Sequence, residues 1–203
     1  TQEELVQSER LAVIGQMSAR IAHEIRNPLA TIGGFARSIR CKPDPERVEA
    51  GAAIISDEVT RLENLLRDTL SFTKPTKPVL APGDLNSLIE EVRTMLRKDE
   101  SATGLELEGT CDPAIPAFPI DIAQMKQVCL NIAQNAAQAT AAGGTVSLST
   151  QRLIDDDNRM ACIEIRDTGA GIKPKNLDQI FSPFFTTKTY GTGLGLVISK
   201  QIV

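Results

Sequence analysis

The sequence predicts an α+β protein in two parts: a helical hairpin suited to a dimeric four-helix bundle, then a domain of mixed strands and helices. Three observations carry that expectation. Apolar residues recur at alternating three- and four-residue spacing over residues 11–39 and again over 48–69. A Pro-rich stretch breaks the chain at 74–83, and beyond it period-two runs alternate with helical ones. With 203 residues, 41% of them hydrophobic, two small domains can each bury a core.

Composition excludes several classes. Net charge is −4, from 22 basic and 26 acidic residues, and aromatics make up only 3%. Neither a phosphate-neutralising surface nor a base-stacking platform is suggested, so nucleic acid is not expected as a partner. No run of about 18 apolar residues occurs, so no helix is expected to span a membrane, and this fragment is expected to make no direct membrane contact. Thr1 is not a methionine and no signal peptide is visible, which reads as an excised piece of a longer chain. Cys41, Cys111, Cys129 and Cys162 lie far apart with no Cys-x-x-Cys pair. They read as reduced core cysteines in a cytoplasmic compartment.

The first helix starts on Thr1-Gln-Glu-Glu4, a capping-box spacing, and runs to about Arg40 with Pro28 able to kink it. Lys42-Pro-Asp-Pro-Glu46 is a turn and a new start, Asp44 as N-cap and Pro45 at the first helical position. The second helix repeats the seam at Val48, Ala52, Ile55, Val59, Leu62, Leu66 and Thr69. Two helices leave much of each seam uncovered, which predicts a homodimer of two hairpins. The expected boundaries are 1–74 for this domain, 75–83 for the linker and 84–203 for the second domain. Within that domain Leu85–Leu96 and Ile122–Thr140 read as helices, and Leu105–Cys111 as a strand. Thr145–Leu153 and Met160–Arg166 read as two strands around the polar turn Asp155-Asp-Asp-Asn158. A last helix starts near Leu194 and is still apolar at Val203, as if the sequence were cut there.

The single histidine, His23, lies on the first helix. The seam takes Leu11, Ile14, Ser18, Ile21, Ile25, Pro28, Ile32, Phe35 and Ile39. With Ser18 at a and Ile21 at d, His23 falls at f, facing water. By itself that is an ordinary surface histidine.

Three features of the second domain bear on chemistry. Asn131-Ile-Ala-Gln-Asn135 sets two amides one turn apart on one helix face; an amide oxygen is a hard, neutral ligand suited to magnesium already balanced by phosphates. Asp167-Thr-Gly169-Ala-Gly171-Ile172 ends a strand, where a carboxylate can accept from an exocyclic amine while glycines let a flat ring approach. Gly191-Thr192-Gly193-Leu194-Gly195 opens a helix and directs backbone N–H groups at a phosphate chain. Between the last two lies Phe181-Ser-Pro-Phe184-Phe185-Thr-Thr-Lys188, an apolar hinge ending in a cation. Each also has a plain reading: a solvated Asn pair, an Asp-Gly turn, a Gly-rich loop, core phenylalanines.

Together, and in this order, the motifs resemble those of sensor histidine kinases over almost the whole chain. His23-Glu24-x-x-Asn27-Pro28 resembles the phosphoacceptor box and Asn131–Asn135 the N box. Asp167–Gly171, Phe181–Phe185 and Gly191–Gly195 resemble the first glycine box, the F box and the second glycine box. The short passage from Phe184 to Gly195 is similar to the short-lid subgroup that includes nitrogen-regulatory kinases. The resemblance implies a dimerisation and phosphotransfer bundle followed by an ATP-binding α/β sandwich, here without its last strands.

It further implies catalytic roles for His23, Glu24 and Asn27. His23 would attack the γ-phosphorus of ATP, Glu24 would orient the imidazole and take its second proton, and Asn27 would position water in a reverse, phosphatase reaction. ATP would be bound by Asn131, Asn135, Asp167, Gly169, Gly171, Ile172, Lys188, Gly191, Thr192, Gly193, Leu194 and Gly195, with Asn135 on Mg2+ and Lys173–Thr192 as the lid. The phosphoryl group would pass to an aspartate of a response-regulator receiver domain docking near His23, Asn27, Ala30 and Gly34. Gly33 and Gly34 each cost a helix interior about 1 kcal/mol relative to Ala, which suits a flat docking face or else a bend relieving Pro28. Two other classes stay open, a dimeric scaffold with a degenerate ATPase domain and an ATPase that forms no phosphoprotein.

Overall fold

The computed structural model describes residues 2–73, 77–155, 158–188 and 191–203. Two compact units result: residues 1–76 with 183–194, and residues 77–182 with 195–203. The expected Thr1 cap, residues 74–76 of the linker, Asp156 and Asp157 of the strand turn, and Thr189 and Tyr190 of the lid lie outside the described residues.

The first unit is built on α1 (Gln2–Cys41) and α2 (Pro45–Thr73), packed as a hairpin across Lys42–Asp44. Asp44 accepts the first α2 bond from the Val48 N–H at 2.9 Å, as an N-cap carbonyl does. α1 is one helix of 40 residues through Pro28, which is fully buried. The α1 seam is as expected at Ile14, Ile21, Ile25, Ile32, Phe35 and Ile39, all half-buried, whereas Ser18 is exposed.

On α2 the expected seam is half displaced. Ile55, Leu62 and Thr69 face α1, but Gly51, Glu58 and Leu65 stand where Ala52, Val59 and Leu66 were expected. Val59 and Leu66 keep 42% and 53% of their surface exposed within the single chain. The two registers share every second position, and pairing with one neighbour uses only one flank of a broad apolar stripe. Gly51 sets the contact: a Cβ there would lie 2.9 Å from Ile39 Cδ1. Residues 183–194 belong to this unit, where Phe184 is fully buried at φ 63° and its N–H donates to the Gly193 carbonyl at 2.9 Å.

The second unit carries a three-stranded sheet ordered β2 (Glu106–Glu108), β4 (Thr145–Asp155), β5 (Asn158–Asp167). β2 runs parallel and β5 antiparallel to β4. A second pair joins β1 (Ala81–Gly83) antiparallel to β3 (Phe118–Ile120). Ala81–Gly83, expected as linker, is therefore a strand. Pro82 is tolerated there because a two-stranded sheet has only edge positions. The expected strand Leu105–Cys111 shortens to Glu106–Glu108, because Gly109 turns away at φ 133°.

Helices α3 (Leu85–Leu96) and α4 (Ile122–Ala139) pack on β4. The core joins Leu88, Ile89, Val92 and Leu96 of α3 to Cys129, Ala133 and Ala137 of α4 and Val146 and Leu148 of β4. Arg93, 8% exposed, braces it: its guanidinium donates to Glu90 at 2.7 Å and to the Leu148 carbonyl at 2.9 Å. Asp84 and Asp121 cap α3 and α4 by accepting from the N–H groups of Asn86 and Gln124. The final helix, α5 (Gly195–Ile202), packs on α4.

All four cysteines are free. Only Cys129 is buried, and burial pushes its thiol up to about 11. Cys111 is half-buried and packed against the core, Cys162 is half-buried and Cys41 is exposed at the end of α1, so the expectation of core cysteines holds for Cys129 and, at the core's edge, for Cys111. No described helix is long and apolar enough to cross a membrane.

Candidate functional site

The candidate residues fall in both units. On α1, heptad phase turns His23 outward, and the structure leaves it exposed. The Asn27 amide nitrogen, one turn on, lies 3.4 Å from His23 Nδ1. Thr31 Oγ1 donates to the Asn27 carbonyl at 3.3 Å, continuing the same face. Nε2 is thus the imidazole nitrogen that Asn27 does not approach. Glu24 is half-buried and its carboxylate accepts from Arg20 Nε at 3.0 Å. Pro28 has no N–H to offer the Glu24 carbonyl, so the helix ladder is interrupted beside the histidine. Ala30 and Gly34 lie exposed farther along, with nothing within 4 Å of a Cβ built on Gly34.

Also in this unit, Thr192 Oγ1 donates to Asp68 Oδ2 of α2 at 2.7 Å. Burial raises the Asp68 carboxyl above its usual value, against the Thr192 hydrogen bond and the Arg67 charge. Gly191 and Thr192 line a cleft of about 470 Å3 together with Glu24, Pro28, Glu58 and Leu65. Gly193 sits at φ 67° with Phe184 backbone where a Cβ would go, and Leu194 is fully buried. Lys188 reaches the surface, yet desolvation by its surroundings holds its ammonium below the ordinary lysine value. Lys188 and residues 191–194 are therefore grouped with the hairpin, apart from the unit that contains Asn131 and Asp167.

In the second unit, α4 acts as a rail. Asn131, Asn135 and Ala139 follow at four-residue steps along one face; Gly195 meets this row at Asn131, in the middle of the helix, and the first glycine box meets it at Ala139, the C-terminal end. At one end Asn131 Nδ2 donates to Ser199 Oγ of α5 at 2.8 Å, and Asn135 Nδ2 reaches Asn131 Oδ1 at 3.5 Å. A Cβ on Gly195 would overlap Asn131 Oδ1, so only glycine lets α5 begin there.

At the other end the Ala170 N–H donates to the Ala139 carbonyl at 3.2 Å, and that same carbonyl occupies the place of a Gly169 Cβ. Asp167 Oδ1 accepts from the Gly169 N–H at 2.9 Å, closing a turn that presents the carboxylate at the strand end. Gly171 follows at φ 68°, and Ile172 is 52% exposed, an apolar side chain at the lip. Eight residues of helix separate the two ends by about 12 Å. That span fits a ligand with an amine-bearing ring at one end and anionic groups at the other.

The structure thus brings Gly195 to Asn131 and Asn135 of α4 and, separately, the Asp167–Gly171 turn to the end of the same helix. Ala139, Ala170 and Ser199 escaped the sequence reading. Only Ser199 left a trace there, as a hydroxyl among the apolar residues of α5.

Comparison with known proteins identifies the family of each part of the chain. Residues 13–78 match the His Kinase A (phospho-acceptor) domain, and residues 120–203 match the histidine kinase-, DNA gyrase B- and HSP90-like ATPase family. The sensor histidine kinase ZraS of Escherichia coli K12 is 35% identical over 208 residues, covering 100% of this chain and 43% of that protein. The solved structure of histidine kinase ThkA in complex with the response regulator protein TrrA superposes with a TM-score of 0.79 at 32% identity, covering 100% of this chain and 58% of that one. The mycobacterial sensor histidine kinase MprB gives 0.52 at 30% identity, over 61% of this chain and 78% of that one. The chain belongs to the sensor histidine kinase family, with a helical phosphoacceptor region followed by an α/β ATP-binding domain. It spans less than half the length of the curated relatives it matches.

Proposed function

We propose that this chain is an autokinase core that moves the γ-phosphoryl group of ATP to His23 and from there to an aspartate of a response regulator. The observation that carries the reading is His23: an exposed imidazole whose Nδ1 lies 3.4 Å from the Asn27 amide one turn on. The α4 rail supplies the nucleotide side. Asp167 takes the adenine amine, with Gly169, Gly171 and Ile172 beside the ring. Asn135, Asn131 and Gly195 lie toward the phosphates.

Among the described residues no cluster of three or more His, Cys, Asp or Glu side chains could hold a metal alone. A magnesium ion here would take Asn135 Oδ1 as its one neutral protein oxygen and the rest from phosphates and water, a donor set that suits it. Bound there, it would neutralise phosphate charge.

Attack requires the lone pair on Nε2 and the proton on Nδ1. A half-turn of the Asn27 amide presents its oxygen to Nδ1–H and selects that tautomer. The Nε2–phosphorus bond forms as the bond from phosphorus to the ADP oxygen breaks. The proton left on the imidazolium passes to Glu24, which must first part from Arg20. Positioning and charge stabilisation supply most of the catalysis.

The exposed flank of α2, with Val48, Val59, Leu66 and Leu70, supports a homodimer in which two hairpins form a four-helix bundle. The receiver domain docks on His23, Asn27, Ala30 and Gly34, and Asn27 positions water for the phosphatase reaction. ThkA, similar over the whole chain, was solved with a response regulator.

Incubation with γ-labelled ATP and magnesium tests the reading. The expected result is an acid-labile, alkali-stable label on the wild-type chain and none on His23→Gln. Label persisting in His23→Gln, or nucleotide binding with no label on either, overturns it.

A further inference from the structure

Asp167 depends on its neighbours for its place. β5 stands last in the three-stranded order, and its register sets Asp167 opposite Val146 and Arg166 opposite Ser147. Antiparallel pairs alternate between those that exchange hydrogen bonds and those that do not. The Thr168 N–H donates to the Thr145 carbonyl at 3.1 Å, so the Val146–Asp167 pair beside it is of the second kind. Asp167 is therefore held against β4 through Arg166 and Thr168. Thr168 lies just past the strand, and its bonding departs from the ladder pattern. A ladder pair would send the Thr145 N–H to the Thr168 carbonyl. Instead that N–H donates to Thr168 Oγ1 at 2.9 Å, and the same hydroxyl donates to the Thr145 carbonyl at 3.4 Å. Gly144 makes the room, since a Cβ there would lie 2.9 Å from Thr168 Oγ1.

We propose that Thr168 is a positioning residue: its hydroxyl stands in for its own carbonyl in the pair with Thr145, which lets the chain leave the strand there and fixes Asp167 for an adenine amine. The inference rests on the reading of Asp167 as the acceptor of that amine. With the pair closed by a side chain, the main chain can turn at once. Two residues on, the Ala170 N–H then reaches the Ala139 carbonyl at 3.2 Å. The turn is thus pinned at two points, to the start of β4 by Thr168 and to the end of α4 by Ala170. The carboxylate follows the turn, because Asp167 Oδ1 accepts from the Gly169 N–H at 2.9 Å. Among the described residues nothing else bonds that carboxylate, which leaves Oδ2 to accept from a ligand. Without the Thr168 hydroxyl, the Thr145 N–H must take the Thr168 carbonyl or go unpaired. The first straightens the chain through the turn and the second frees one of its two pins.

The test is calorimetric titration of the whole chain with ATP and with purine riboside triphosphate, the same nucleotide without its exocyclic amine. The wild-type chain should prefer ATP about tenfold or more, the worth of one hydrogen bond to a charged acceptor. Thr168→Val, which puts a methyl group in place of the hydroxyl, should cut that preference about fivefold, almost wholly through ATP, while Thr168→Ser should keep it within about twofold of wild type. Equal loss of both nucleotides in Thr168→Val would show a merely structural role. That result, an unchanged preference in Thr168→Val, or a Thr168→Ser chain as impaired as Thr168→Val each overturns the positioning role. A wild-type chain that binds both nucleotides equally refutes Asp167 as the amine acceptor, and the proposal falls with it. The wild-type ratio and the variant ratio therefore tell the two failures apart.

Discussion

His23 and Asn131 are both polar side chains on long helices, and their surroundings differ in kind. His23 is exposed, and its partner, Asn27, is four residues away on the same helix. Asn131 is half-buried and bonds to Ser199, 68 positions along the chain. In the proposed function His23 is a nucleophile that must meet first a nucleotide and then another protein; such a residue needs access, so little of the fold can lean on it. In the same proposal Asn131 lies beside the nucleotide, where a side chain is best held in place before a ligand arrives, and packing from a second element supplies that. The first residue should therefore be cheap for stability and indispensable for chemistry, and the second side of the site should couple the two.

The largest effect expected is complete loss of label in His23→Gln, with unfolding free energy changed by no more than about 0.5 kcal/mol, as for exposed substitutions generally. A marked drop in its melting temperature would break the contrast. Next is Gly195→Ala, whose methyl group meets Asn131 Oδ1. It should lower ATP affinity more than tenfold and also cost about 1–3 kcal/mol, the usual range for overpacking. Calorimetry and thermal melting measure the pair, and a loss in one without the other would separate function from packing on this side too.

Arg93→Met, far from both sets of residues in chemical role, should cost about 2–3 kcal/mol by removing a charged donor from Glu90 and the Leu148 carbonyl. The acid limb of denaturation gives the smallest effect and a difference in sign. Asp84 is held below the usual 3.8 by hydrogen bonds from Ser87 and the Asn86 N–H, and Asp121 by those from the Gln124 and Val79 N–H groups. Their folded forms bind protons less readily than the unfolded chain. Stability from these caps is present above pH 3.8 and is lost as pH falls through the lowered folded values.

Asp68 works the other way. Burial raises its carboxyl, so its contribution is present below 3.8 and is lost as pH rises through the raised folded value. Acid titrations followed by circular dichroism should show Asp84→Asn and Asp68→Asn removing slopes of opposite sign. Slopes of the same sign would break that part of the comparison.

The sequence alone determined the parts written in short-range chemistry. Heptad spacing identified α1 and α2 and turned His23 outward; Asp44 and Pro45 marked the start of α2. The stretch Leu85–Leu96 was legible to the residue as α3. Asp167, Gly169, Gly171 and Gly195 stood out because φ > 0, close approach and helix starts restrict residue choice within a few positions.

Tertiary structure decided the rest. Which flank of α2 meets α1 depends on a partner helix, and Val59 and Leu66 satisfy the period as well as Glu58 and Leu65 do. Three residues, Ala81-Pro82-Gly83, are too few for alternation to show, and they become a strand only because Phe118–Ile120 lies alongside. The partner of the Asn131 amide is a hydroxyl on another helix, and the seating of the first glycine box depends on a carbonyl of Ala139 that any residue could supply. Periodicity and capping act within about a turn or two of chain, whereas these contacts join residues tens of positions apart, where one sequence pattern is compatible with several partners.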